Sequence, residues 1–282
     1  MAVRYSPPTP GPGATGRDDP RAVVLVPRPE MPRVAGEPRD RGPIEMDTTV
    51  RFGHTREMTP ATTPTLPANA SIITRVRLAV QALKILADDP ANPYYGPLVN
   101  ACLDSDTYAK LALRWRESAE GRRLLDERPS LQGRELDLDA LANLPEGTLG
   151  HEFMRYFRTN GIEPFVTTFP VESDVDYLSK RYRETHDLFH VITGYGTDEP
   201  GEMELQAFVL GNLGVRQAIL ILAFSLPRRI QQKGFQGLRA HFDKLRAAYH
   251  RGRRSRELLS VGYEKLWAQP VSELAALLCA PA

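Results

Sequence analysis

Two imidazoles and two carboxylates lie close together in the middle of the chain: His186, Asp187, His190 and, after eleven intervening residues, Glu202. On a helix, His186 and His190 share one face, about 40° apart around the axis, and Asp187 is turned by about 100° from His186, within reach of a point beside that face. Between His190 and Glu202, the residues Gly194, Gly196, Pro200 and Gly201 must end that helix and turn the chain. Glu202 then falls in the first turn of a following helix, where the helix dipole favours a carboxylate. Two neutral nitrogen donors and two carboxylates brought together by a helix-turn-helix suit a divalent cation.

The element that must carry three of these residues is a helix from about Asp174 to Thr193. Val175, Leu178, Tyr182, Phe189 and Ile192 form its apolar stripe, which runs beside the His186/His190 face rather than opposite it. The imidazoles are therefore expected at the border of the core, where a site is partly desolvated yet reachable. Glu184 is almost opposite His186, which argues against ligation beside it. After Glu202 the periodicity predicts one long helix through Leu205, Phe208, Val209 and Asn212 into the apolar run Ala218–Leu226, a buried segment stopped by Pro227. Leu238, Phe242, Leu245 and Tyr249 predict a further helix that ends in the basic cluster Arg251–Arg256. Those cations fit either anionic lipid headgroups or, more simply, the C-terminal end of a helix dipole. Short helices over Val261–Trp267 and Val271–Leu278 complete the chain.

Upstream, Ser71 reads as an N-cap, followed by the stripe Ile72, Val76, Ala79, Val80 and Leu83. A second helical region begins after Pro97, breaks near Asp104 and Ser105, and turns Tyr108, Leu111 and Trp115 inward. Arg114, Arg116, Arg122 and Arg123 are interleaved with Glu117, Glu120, Asp126 and Glu127, as on a solvated face. A short helix within Leu136–Leu144 precedes one opened by Pro145 and Glu146. The latter carries Leu149, Phe153, Tyr156 and Phe157 on one stripe, with Gly161 at its end. His151 on that helix reads as a structural histidine. No stretch sustains the alternation of a strand, so the fold class is all-α: a single multi-helix domain over residues 71–282.

Residues 1–70 contain 13 of the 24 prolines and only one apolar cluster, Val23–Val26, and so are expected to form a disordered tail. Their Asp and Glu content argues against a transit peptide. The formal net charge of +1 gives no field for nucleic acid. The two cysteines, Cys102 and Cys279, support neither a disulfide framework nor a thiolate zinc site. No apolar run approaches the roughly 20 residues that span a bilayer, so a cytoplasmic protein, at most peripheral on the inner face of a membrane, is expected.

The motif His-Asp-x-x-His, eleven residues, Glu resembles the metal signature of the Coq-four family of ubiquinone (coenzyme Q) biosynthesis proteins. The resemblance extends to Glu127-Arg128-Pro129, to Leu144 through Gly150, to Arg181-Tyr182-Arg183-Glu184, and to Tyr263-Glu264 with Trp267 before a final amphipathic helix. It covers roughly Ile72 to Leu278. It implies metal-dependent (oxidative) removal of a carboxylate from a prenylated ring derived from 4-hydroxybenzoate, with His186, Asp187, His190 and Glu202 acting through one divalent ion. That ion is zinc by the resemblance, with iron or another divalent ion as alternatives. It also implies partners: a polyprenylated aromatic substrate or isoprenoid lipid, other quinone-biosynthesis proteins, and a homodimer as an option. The alternative is a non-catalytic, lipid-binding organiser of a quinone-biosynthesis complex.

Overall fold

The computed structural model describes residues 66–281 except 68, 89–94, 133–135, 163–169 and 235; the tail expected over 1–70 lies almost wholly outside the described residues. Helix α7 (Asp174–Thr193) is the spine. Ser173 and Asp176 close a reciprocal capping box at its start, and Gly194, at φ 77°, ends it in the left-handed region that favours glycine. Of the expected stripe, Leu178, Tyr182, Phe189 and Ile192 are buried in the main core and Val175 packs partly buried against it; Tyr177 and Leu188, outside the stripe, are buried too.

Around this spine are helices α1 (Ile72–Asp88) to α6 (Leu149–Asn160) on the N-terminal side and α8 (Glu199–Leu213) to α11 (Val271–Leu278) on the C-terminal side. The intervening ones are α2 (Tyr95–Leu103), α3 (Ser105–Trp115), α4 (Ala119–Glu127), α5 (Leu138–Ala142), α9 (Gln217–Lys233) and α10 (Gln236–Arg254). Among the described residues there are only helices, two 3-10 turns between α10 and α11, and one isolated bridge between Thr148 and Pro270. The fold is all-α. Tyr108, Leu111 and Trp115 of α3 are buried as expected, and Ser71 Oγ accepts from Thr74 N at the start of α1.

Three expectations are corrected. The long helix after Glu202 is two helices: Gly214, at φ 75°, terminates α8, and α9 restarts at Gln217. The restart is capped across the fold. Asp104, at the break between α2 and α3, is fully buried, and its carboxylate accepts from Arg216 N (2.6 Å) and Gln217 N (3.0 Å). Pro227 lies within α9 rather than ending it, and the run Ala218–Leu226 is buried only at Ala218: Ile219 and Phe224 are exposed. Third, the stripe on α1 faces inward only in part. Ala79 and Ala82 pack with Leu98, Val99 and Cys102 of α2 in a small second core, while Ile72 and Val76 are exposed.

Helix α10 buries His241, Ala248 and Gly252 and leaves Phe242 exposed, so its inward face is rotated by one position from the larger apolar residues. The reason is the α8–α10 crossing. A Cβ on Gly252 would collide with the carbonyl oxygen of Phe208, and one on Gly211 with that of Tyr249. Two glycines thus bring the helix backbones into contact, and the face that carries them must turn inward whatever lies beside it. Arg251, from the basic cluster, is part of this packing: its Nε donates to Ala280 O (3.0 Å) and its Nη1 to Thr193 O (2.9 Å).

Gly252→Ala is therefore expected to destabilise the domain by about 1–3 kcal/mol, since backbone cannot move aside as a side chain can. Urea denaturation reads this directly; an unchanged midpoint would show that α8 and α10 do not cross at these glycines.

Candidate metal centre

Helices α7 and α8 are joined by five residues, and this turn sets the geometry of the site. Asp198 caps α8 through its side chain, which accepts from Gly201 N at 3.1 Å. A Cβ on Gly201 would strike the carbonyl oxygen of Gly196, so the turn folds back tightly onto the first turn of α8. Arg251 holds it from behind, with its guanidinium over the Tyr195 ring at 5.2 Å. Glu202 is thereby presented to the last two turns of α7.

The structure brings three of the four expected residues together. One nitrogen each from His186 and His190 and a carboxylate oxygen of Glu202 all lie within 4.8 Å of one another. His190 Nε2 is 3.0 Å from Glu202 Oε2, and His186 Nε2 is 3.5 Å from Glu202 Oε1. Asp187 does not join the group. Its Oδ1 is 3.7 Å from His186 Nδ1, the ring nitrogen that does not face Glu202. The 100° step between adjacent helical residues, which left Asp187 at the edge of the histidine face, here takes it to the far side of the His186 ring.

The donor set fits a cation. The Tyr195 carbonyl, 3.0 Å from His190 Nδ1, can only accept, so that nitrogen carries the proton and Nε2 turns a lone pair toward the Glu202 carboxylate. Two electron-rich atoms 3.0 Å apart require a proton or a metal ion between them. A carbonyl that fixes the tautomer of a ligating histidine is the usual support of such a centre. Without a metal, burial by itself would depress the pKa of His186, but Glu202 and Asp187 outweigh it and raise the pKa to about 10. Burial likewise opposes ionisation of Glu202, yet His186, His190 and Gln206 hold its carboxyl well below the usual range.

Several side chains complete the site that the sequence reading passed over. Tyr156 of α6 stacks on His190, with ring centroids 5.6 Å apart. Burial pushes its hydroxyl pKa up, with Asp187 and Glu202 adding to the effect. Gln206 Nε2 donates to Glu202 Oε1 at 2.8 Å. Gln206 follows Glu202 by four residues, so helical spacing could have found it; nothing in the sequence links Tyr156 to His190. Glu184 is turned elsewhere: its buried carboxylate pairs with Lys180 and accepts from Leu131 N. His151 is bonded to Glu152 on the surface of α6.

His186, Glu202 and Gln206 form part of the wall of a cavity of about 500 Å³. Arg183 and Tyr182 of α7, Asn100 of α2, Lys84 of α1 and Gln217 of α9 add polar groups to the wall, and Leu83 and Leu86 of α1 and Ile221 and Phe224 of α9 add apolar ones. The exposed apolar run of α9 is thus a cavity wall. No helix among the described residues is long and apolar enough to cross a membrane.

These features define a class of protein: an all-helical domain with a His/Glu group beside a largely apolar cavity. The family profile described as coenzyme Q (ubiquinone) biosynthesis protein Coq4 matches residues 76–279. The chain belongs to this family. It is 29% identical over 241 residues to the mitochondrial ubiquinone biosynthesis protein COQ4 homolog of Mus musculus, covering 84% of this chain and 87% of that protein. It is 33% identical to the Danio rerio homolog of the same name, over 76% of this chain and 78% of the other. A crystal structure of a Nostoc punctiforme protein assigned provisionally to ubiquinone biosynthesis superposes with a TM-score of 0.58 at 29% identity, covering 72% of this chain and 95% of that one.

The raised pKa of His186 has a sign. Because the folded value of about 10 lies above the ordinary 6.5, the His186–Glu202 attraction stabilises the metal-free fold fully below pH 6.5 and is lost as pH rises toward 10. The urea midpoint of chelator-treated protein is expected to fall across that window, and to fall less in Glu202→Gln, which lacks the attracting charge. Parallel profiles for the two proteins would show that His186 and Glu202 are not coupled.

Proposed function

We propose that this member of the family works in ubiquinone biosynthesis as a metal-dependent decarboxylase of the prenylated ring derived from 4-hydroxybenzoate, with hydroxylation at the same carbon. The observation that carries the reading is the convergence of His186, His190 and Glu202 beside a cavity whose wall includes His186 and Glu202 and is largely apolar. Such a cavity suits an amphipathic ligand with an aromatic, anionic head and a hydrocarbon tail. In this reading the head lies by the three donors and the tail between α1 and α9.

The three donors would hold one divalent ion, zinc by family resemblance, with iron or another redox-active ion required if the ion itself takes part in oxidation. When bound, the ion supplies Lewis acidity toward a phenolate or carboxylate oxygen of the ring. Asp187, first expected as a ligand, is proposed to orient His186 from behind, as its 3.7 Å separation from Nδ1 suggests. The apolar walls exclude water, so the ring carboxylate enters a poorly solvated site in which loss of carbon dioxide is favoured. Decarboxylation breaks the ring–carboxyl bond and leaves its electron pair on the ring carbon. Replacing the carboxylate by a hydroxyl also takes one oxygen atom from dioxygen and two electrons from a reductant, the second oxygen leaving as water. Tyr156 packs His190 in place and, with Asp187, closes the site on the side of α6.

The organiser alternative draws on the exposed residues Ile72, Ile73 and Val76 of α1 and Ile219 and Phe224 of α9. These suit contact with a membrane surface or with other quinone-pathway proteins, and chemistry would then lie elsewhere. Two substitutions separate the readings. His190→Ala is expected to remove most of the bound metal, by elemental analysis, with helical circular dichroism retained. Glu202→Gln, in a strain lacking the native protein, is expected to keep its partners yet accumulate the carboxylated ring intermediate. Normal quinone at matched protein abundance would favour the organiser and remove the catalytic roles from His186, Asp187, His190 and Glu202.

A further inference from the structure

We infer that Gln206 and Gln217 together recognise a neutral ring hydroxyl, so that the cavity selects a hydroxylated, prenylated aromatic acid over its methyl ether and over the acid that lacks this oxygen. This rests on the reading that the cavity takes a prenylated aromatic acid.

Both side chains line the cavity, Gln206 from α8 and Gln217 from the first residue of α9. They are only 3% and 6% exposed, so an unmatched polar atom on either is costly. Each amide has one. Gln206 Oε1 has no donor, and Gln217 Nε2 no acceptor, among the described residues. The two needs are opposite: one atom lacks a proton to accept, the other a lone pair to meet.

Neither need is met by a simple rearrangement. Gln206 Nε2 donates to Glu202 Oε1 at 2.8 Å, and reversing that amide would set two oxygens face to face. The backbone of Gln217 is held by Asp104, whose carboxylate accepts from its N at 3.0 Å, and this fixes where the side chain leaves α9. Tyr182, on the same wall, is near enough for the Gln217 amide to favour its ionised form, yet no hydrogen bond joins the two side chains. Asn100, the other amide of the wall, is already engaged: it donates to Ser179 and accepts from Tyr108.

The pair defines the chemistry of the group it takes. A carboxylate, phenolate or ether oxygen can accept from Gln217 but brings no proton to Gln206, and an ammonium group can donate to Gln206 but offers Gln217 nothing. At neutral pH, only the hydroxyl of a hydroxybenzoate ring does both, and through a single oxygen. The glutamines thus hold that hydroxyl un-ionised. The carboxylate is then the anionic group left for an ion held by His186, His190 and Glu202.

The test compares ligands rather than turnover. The full chain is titrated calorimetrically, in detergent micelles, with a prenylated 4-hydroxybenzoate, the matched 4-methoxybenzoate and the matched benzoate without that oxygen. Wild-type protein is expected to bind the hydroxy acid about tenfold or more tightly than either analogue, because each analogue leaves a buried amide atom unpaired. Gln206→Met is expected to bind the hydroxy acid and the methyl ether equally. Gln217→Met is expected to bind the hydroxy acid about fivefold more weakly than wild type, and the plain benzoate no more weakly. Circular dichroism and elemental analysis check fold and metal content. Where a variant fails those checks, the wild-type comparison of hydroxyl with methyl ether decides by itself. Wild-type protein that binds the three acids alike, or a folded variant that behaves as wild type, overturns the role of the pair while leaving the substrate reading intact; the amides are then satisfied by Tyr182 or by water. Wild-type protein that binds none of the three overturns the substrate reading, and the role of the pair with it.

Discussion

The rotation of α7 about its own axis is the constraint on which the site depends, and buried charge fixes it. Arg181 has no exposed surface, so its donors must all be matched inside the protein. They are: Nε and Nη2 reach the carbonyls of Leu259 and Val261, and Nη1 the Tyr177 hydroxyl. Three residues on, Glu184 accepts from Ser130 and Leu131 N and pairs with Lys180. A helix with an arginine and a glutamate buried and bonded to separate segments cannot rotate without leaving one of them unpaired, at several kcal/mol in a buried setting. His186 and His190 point into the site because these neighbours cannot move.

The same device recurs at the other helix ends. Asp104 is buried between α2 and α3 and satisfies the first amides of α9, which anchors a cavity wall to the break between two distant helices. Arg251 ties the end of α7 to α10 and to the C-terminal segment, and it stacks on Tyr195, whose carbonyl sets the proton of His190. Tertiary packing and ligand chemistry thus share a few buried polar residues. Substitutions at Arg181, Asp104 or Arg251 are thus expected to act on the His186, His190 and Glu202 group through position rather than through contact.

The cavity shows why one helix can be apolar and yet not buried. The run Ala218–Leu226 has the composition of a core helix, but α9 meets the rest of the domain along one side, with Ala218 in the core and Ile221 and Phe224 on the cavity. An apolar wall left open to a ligand is stable only if something apolar occupies it or covers it part of the time. That property agrees with the prenyl chain in the proposed substrate, and it is the reason the exposed residues of α1 and α9 bear on both functional readings.

Helix existence, the span of α7 and the histidine face on it were legible from the sequence, because a 20-residue amphipathic pattern ended by a glycine is a strong local signal. The grouping of His186, His190 and Glu202 was legible for the same reason: spacing and a glycine turn are local facts. Three things were decided only in the tertiary structure. The break at Gly214 depended on Asp104, more than a hundred residues away, being there to cap the restart. The inward face of α10 was set by two glycines that admit a neighbouring backbone, a contact that side-chain hydrophobicity does not encode. Asp187 stands apart from the His186, His190 and Glu202 group, and Tyr156 stacks on His190, because the direction of a side chain at the edge of a helical face depends on what the opposing elements place there. Helical periodicity fixes an angle around one axis; a metal centre needs positions, and those come from the packing of several axes together.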